Sequence, residues 1–206
     1  MNLFFILLAI TIASAENPTE PTACTDANEG SCECGDVSKG FQTYTFWLGE
    51  TQRCFTVYHP VSRANEKLPV VFSPNCYAKD KLQGIKMTND KMSTNKAAGR
   101  YGYIRIGVST PDGGWTFGND GVVNNGKPMP CSDEDSKDMA YLRAIFKFIE
   151  DNPDQFDASR IYAEGFSQNS MFSAYIAFCF SDQVLGVWQG GSGLAVAGEL
   201  QIVSFF

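Results

Sequence analysis

Arg160-Ile161-Tyr162-Ala163-Glu164-Gly165-Phe166-Ser167-Gln168-Asn169-Ser170 decides how this chain is read. Residues 161–163 have the apolar character of a buried strand, and Gly165 two positions before Ser167 predicts a sharp corner that opens a helix over about 170–180. In such a corner, a nucleophile elbow, the serine hydroxyl projects from the end of a sheet and the N–H of the next residue, Gln168, faces a developing oxyanion. The chemistry that this pattern predicts is acyl transfer with Ser167 as nucleophile. The plainer alternative is a helix cap, with Ser167 or Ser170 accepting from an exposed amide.

Upstream of the corner the residues predict the sheet that would carry it. Alternation from Phe41 to Leu48 and over 52–59, with Gly49-Glu50-Thr51 between, predicts a β-hairpin. Residues 68–73 form an apolar run of the kind buried on both faces of a sheet. A weakly periodic helix follows over 86–99, stopping at Gly99, and then a strand over 101–108. Residues 109–131 are crowded with Gly, Asn and Pro and form a long loop of functional size. Its Trp115 is a candidate floor for a binding cleft, the alternative being a ring that packs the loop down.

Ser132-Asp133-Glu134-Asp135 predicts a capped helix start with acids at the positive end of the dipole, and these acids are assigned to that role rather than to a metal. Met139, Leu142, Ile145, Phe146 and Ile149 then fall on one stripe at helical period, ended by Asn152-Pro153. A last strand is expected over 184–188. A hairpin followed by alternating strands and helices predicts an α/β fold: a mostly parallel sheet with helices on both faces and an N-terminal antiparallel hairpin.

Residues 3–12 are apolar and lead into Ala13-Ser14-Ala15, a small-x-small cleavage pattern, so residues 1–15 read as a secretory signal although no basic residue precedes the run. That run is too short to span a bilayer, and no membrane segment is expected later. Residues 16–40 form a Cys-containing extended lead-in, and 41–206 one domain with a sizeable core. The net charge of −7 argues against nucleic acid or anionic lipid as a partner. Seven cysteines entering an oxidising compartment are expected to pair, leaving one over: a free buried thiol such as Cys179, or a residue whose partner lies in a missing C-terminal part.

Arg53-Cys54-Phe55-Thr56-Val57-Tyr58-His59-Pro60, Leu68-Pro69-Val70-Val71-Phe72, Asp138-Met139-Ala140-Tyr141 and residues 157–167 together resemble the secreted polyhydroxybutyrate depolymerase and feruloyl esterase-like branch of the α/β-hydrolases. The similarity extends over about residues 41–195, with Arg-Ile-Tyr-Ala-x-Gly-Phe-Ser its most specific string. Members of that branch hydrolyse carboxylic esters, either polyhydroxyalkanoates or feruloyl and acetyl groups on cell-wall polysaccharides. The resemblance therefore implies a secreted serine esterase that needs no cofactor or metal and takes an ester-bearing polymer or a small ester. It makes Ser167 the nucleophile and the Gln168 N–H one oxyanion donor. The second donor would come from the loop after the 68–73 strand, at Cys76 or Tyr77, where the family usually carries His-Gly.

The sequence departs from the family at three points. Asn169 and Ser170 stand where two glycines are usual, and asparagine suits because it tolerates positive φ. No histidine follows Ser167, and the acids that do are Asp182, too close to the corner, and Glu199. His59, the single histidine, is expected to be a surface or packing residue at the sheet's edge. Since the triad runs serine, acid, histidine in this fold, the domain reads as truncated at its C-terminal side and as weak or inactive by itself. A non-catalytic extracellular binding protein of the same fold, holding polysaccharide or polyester through Trp115, is the alternative.

Overall fold

A computed structural model describes residues 18–74, 93–108, 115, 131, 136–166 and 168–191. Among the described residues seven strands form one sheet: β1 Thr22–Ala23, β2 Phe41–Leu48, β3 Thr51–Tyr58, β4 Leu68–Pro74, β5 Ile104–Val108, β6 Phe156–Phe166 and β7 Val184–Gly190. Among the same residues three α-helices accompany them: α1 Ser93–Tyr101, α2 Lys137–Asp151 and α3 Gln168–Cys179. The strands lie side by side in the order β1-β2-β3-β5-β4-β6-β7.

The sheet is mixed, which corrects the expectation of a mostly parallel one. β1, β2, β3 and β5 pair antiparallel in succession, whereas β5, β4, β6 and β7 run parallel. The physical reason lies in the lengths of the connections. β2 and β3 are joined by Gly49-Glu50 alone, which permits only an antiparallel neighbour, while each parallel neighbour is reached through a helix. The lead-in contributes as well, since Thr22 and Ala23 pair with Thr45 and Tyr44, and the disulfides Cys24–Cys34 and Cys32–Cys54 fasten it to itself and to β3.

One face of the sheet presents Val70, Phe72, Ile104, Ile106, Ile161 and Ala163, all at most 2% exposed. The predicted stripe of α2 packs there, with Met139, Leu142, Ile145, Phe146 and Ile149 buried and Phe146 stacked 5.0 Å from Phe72. Each such side chain contributes roughly 1.5–3 kcal/mol by leaving water. α3 lies on this same face: α2's Phe146 stacks on Phe180, which immediately follows α3, at 4.2 Å. α1 is on the other face, where Asn95 meets the Arg105 side chain.

Several boundaries differ from the sequence reading. α1 runs through Gly99 and stops at Tyr101, because Gly102 takes the left-handed φ of +75° that ends a helix, so the next strand begins at Ile104 rather than at Tyr101. α2 begins at Lys137 with Ser136 at its N-cap, not at Ser132. Residues 132–135 lie outside the described residues, and the acid in the helix's first turn is Asp138. β6 is longer than 161–163 because it includes a bulge: Phe156 pairs with Leu68 and Ile161 with Val70, so four residues of β6 stand against one of β4.

Candidate functional site

β4, β5 and β6 are parallel, and their C-terminal ends, at Pro74, Val108 and Phe166, point the same way. From β4 the chain goes to α1 and the Arg105 face; from β6 it goes to α3 and the opposite face. Adjacent strands whose connections leave on opposite sides open a crevice at their carboxyl ends, the usual ligand position in an α/β sheet. Both predicted halves of the oxyanion site belong to the chain leaving these two strands.

β6 ends at Phe166 and α3 begins at Gln168, so the strand becomes a helix across the single position 167. Ser167 itself, like Cys76 and Tyr77, lies outside the described residues. The reason for so tight a corner is visible at Gly165. A methyl group there would stand 2.5 Å from the Asn169 carbonyl carbon and 2.6 Å from the Ser170 nitrogen, contacts that real side chains do not make. Only glycine lets the first turn of α3 close on β6.

α3 starts two residues earlier than the expected 170. Gln168 is therefore its first residue, and the opening N–H groups of a helix have no acceptor within it. Such a terminus carries the positive end of the dipole, which suits a developing anion. Asn169 and Ser170 are 5% and 0% exposed. Because Asn169 is inside the helix, its position does not call for the positive φ that the sequence argument invokes; what approaches Gly165 is the Asn169 backbone. Ser173 Oγ donates to the Glu164 carbonyl at 2.7 Å, and Gln189 Nε2 donates to the Ser170 carbonyl at 2.8 Å, so β6 and β7 both grip the first turns of α3.

Trp115 is 6% exposed, its ring stacked 3.8 Å from Phe172 of α3. The ring packs against the helix behind the corner. Cys179 is not free: it is bonded to Cys131, so the end of α3 is tied to a residue that lies ahead of α2 in the chain. Cys76, the seventh cysteine, is outside the described residues.

His59 follows β3, which runs opposite to β5 with Tyr58 beside Arg105, so it lies toward the end of the sheet away from the corner. It is 8% exposed and held between backbone carbonyls, with Nε2 3.2 Å from the Glu66 oxygen and Nδ1 3.4 Å from that of Pro60. This is a packing histidine. A cavity of about 270 Å³ lies between Thr19 and Glu20 of the lead-in and Lys147 and Asp151 near the end of α2, also remote from the corner. Its amine and carboxylate already pair at 2.7 Å.

Sequence reasoning missed a polar group beneath the crevice. Arg105, Ser73 and Glu164, on three adjacent strands, share the α1 face, and Arg105 is 6% exposed. Nearby, burial foremost, and then the Glu164 charge, push the Tyr103 hydroxyl above its ordinary pKa. Each residue alone reads as an ordinary strand polar position; only the pairing of β5 with β4 and of β4 with β6 brings them together.

No family model matches the chain, and no curated protein matches it. Among solved structures, it is similar to an acetyl xylan esterase from Aspergillus awamori, at 16% identity over 82% of this chain and 50% of that one, with a TM-score of 0.48. It is similar to a putative acetyl xylan esterase from Bacteroides fragilis at 14% identity, over 82% of this chain and 46% of the other, TM-score 0.48. A ferulic acid esterase aligns at 17% identity over 71% of this chain and 58% of its own, TM-score 0.45. The chain thus spans about half the length of the structures it resembles.

Proposed function

We propose that this chain carries the nucleophile of a secreted carboxylic ester hydrolase acting on a polyester, or on feruloyl or acetyl esters of a polysaccharide. The observation that carries the reading is the glycine-dependent strand-to-helix corner at position 167, at the carboxyl end of the sheet and beside the β4–β6 crevice. The sequence resemblance supports it independently of that geometry. Ser167 Oγ attacks the ester carbonyl carbon, and the carbonyl oxygen, now an oxyanion, accepts from the Gln168 N–H and from an N–H at Cys76 or Tyr77. The proton leaves Ser167 for a histidine and goes to the departing alcohol; water then reverses the sequence and frees the acid. No cofactor or metal enters this chemistry.

His59 is excluded as the base by its place at the other end of the sheet. The proposal therefore assigns the base to a group other than His59. Secretion follows from the signal read over 1–15 and accords with three disulfides. The full-length secreted protein is expected to cleave p-nitrophenyl acetate or methyl ferulate, with Ser167→Ala removing the turnover; unchanged turnover in that variant refutes the assignment.

The position of His59 favours one other reading, a non-catalytic extracellular binding protein that uses the same crevice. That protein would retain polysaccharide or polyester in a pull-down and would hydrolyse neither ester.

A further inference from the structure

The backbone ladder between β4 and β6 runs to Phe72 opposite Ala163. The next residues on each strand are Ser73 and Glu164, and there a side-chain bond replaces the ladder: Ser73 Oγ donates to Glu164 Oε1 at 2.6 Å. Arg105 Nε reaches both, at 2.8 Å to Ser73 Oγ and 3.2 Å to Glu164 Oε1, and Arg105 Nη1 donates to Asn95 Oδ1 of α1 at 3.2 Å. The arginine side chain is 7% exposed and the glutamate 26%. A charge this deep costs several kcal/mol unless paired and hydrogen-bonded, so the group holds one arrangement. It does so near the carboxyl ends of the two strands: Ser73 is one residue from the end of β4, and Glu164 precedes Gly165 of the corner.

We propose that Ser73, Glu164 and Arg105 are positioning residues that set the separation of the β4 and β6 ends, and hence the alignment of the nucleophile corner with the donor supplied from the end of β4. This rests on the hydrolase reading above. The tie acts through the backbone and touches no substrate. Its effect is on the transition state, because oxyanion contacts strengthen as the carbonyl oxygen gains charge, and misplacement by a fraction of an ångström is felt in kcat before KM.

Ser73→Ala is the clean variant, since it removes the bridging hydroxyl while leaving Arg105 paired with Glu164, so that no buried charge is orphaned. In the full-length secreted protein, corrected for the folded fraction from a urea transition, kcat on methyl ferulate is expected to fall about tenfold with KM within twofold. Glu164→Ala should fall further, and Glu164→Gln, whose amide oxygen still accepts from Arg105, should recover to within about threefold of the parent. An unchanged kcat in Ser73→Ala, or a raised KM at constant kcat, overturns the positioning role. Ser167→Ala separates the two claims. If it removes turnover and Ser73→Ala does nothing, only the tie is wrong; if it leaves turnover intact, the hydrolase reading falls and takes this inference with it.

Discussion

At Gly165 the α-hydrogen faces the backbone of Asn169 and Ser170 with no room for a methyl group, and neither neighbour is a side chain that can swing away. Gly165→Ala must therefore push the first turn of α3 off β6. Overpacking of this kind costs about 2 kcal/mol, and a urea transition should show it together with loss of Ser167 reactivity. A second residue-scale prediction concerns Asp157, in the β6 bulge. The Ser159 hydroxyl, which donates at 2.6 Å, and then the Arg160 guanidinium at 2.6 Å hold its carboxyl at about 2, below an ordinary 3.8. Since the folded value lies below the unfolded one, this carboxylate's contribution is complete above pH 3.8 and is lost as the pH falls from there toward 2. Asp157→Asn should flatten the pH dependence of the unfolding midpoint in that window and, near neutrality where the contribution is complete, lower the midpoint slightly. The contribution is small, under about 1 kcal/mol, because solvent reaches the pair.

At the level of elements, α2 is held by more than its apolar stripe. Arg53 of β3 and Asp138 of α2 meet at 3.1 Å, each 3% exposed, with the guanidinium 3.9 Å from the Tyr141 ring and the Tyr141 hydroxyl donating to the Cys54 carbonyl at 2.7 Å. Asp138→Ala removes a buried carboxylate from beside the Arg53 guanidinium and is expected to cost about 3 kcal/mol by chemical denaturation; a loss under about 1 kcal/mol would contradict the pairing. Which elements were legible in the sequence follows from the reach of their signals. The stripe from Met139 to Ile149 and the turn at Gly49-Glu50 depend on near neighbours, and the structure has both. Where two local signals compete, the structure uses the later one: Ser136, not Ser132, stands at the N-cap of α2, and Gly102, not Gly99, ends α1. The Arg53–Asp138 and Arg105–Glu164 pairs join residues 85 and 59 positions apart, which no local pattern records. The corner is the exception, since Gly165 and Ser167 lie within one short string and its strand and helix flank them.

Across the whole molecule, the crevice arises from topology: β4 and β6 are adjacent yet send their connections to opposite faces, and the sequence order alone did not reveal that β6 lands beside β4. Disulfides then fix what the sheet does not. Cys24–Cys34 and Cys32–Cys54 hold the lead-in, and Cys131–Cys179 joins the segment before α2 to the end of α3. Closing a span of 48 residues, that last bridge should be worth about 4 kcal/mol. The double variant Cys131→Ser/Cys179→Ser should unfold at correspondingly lower urea, and an unchanged midpoint would contradict this. The central claim is that the corner between β6 and α3 presents Ser167 as a reactive alcohol. Treatment of the protein with a fluorophosphonate, followed by peptide mapping, tests it most directly. The account predicts one adduct, on Ser167, absent after Ser167→Ala; no adduct, or an adduct on another residue that survives that substitution, would contradict it.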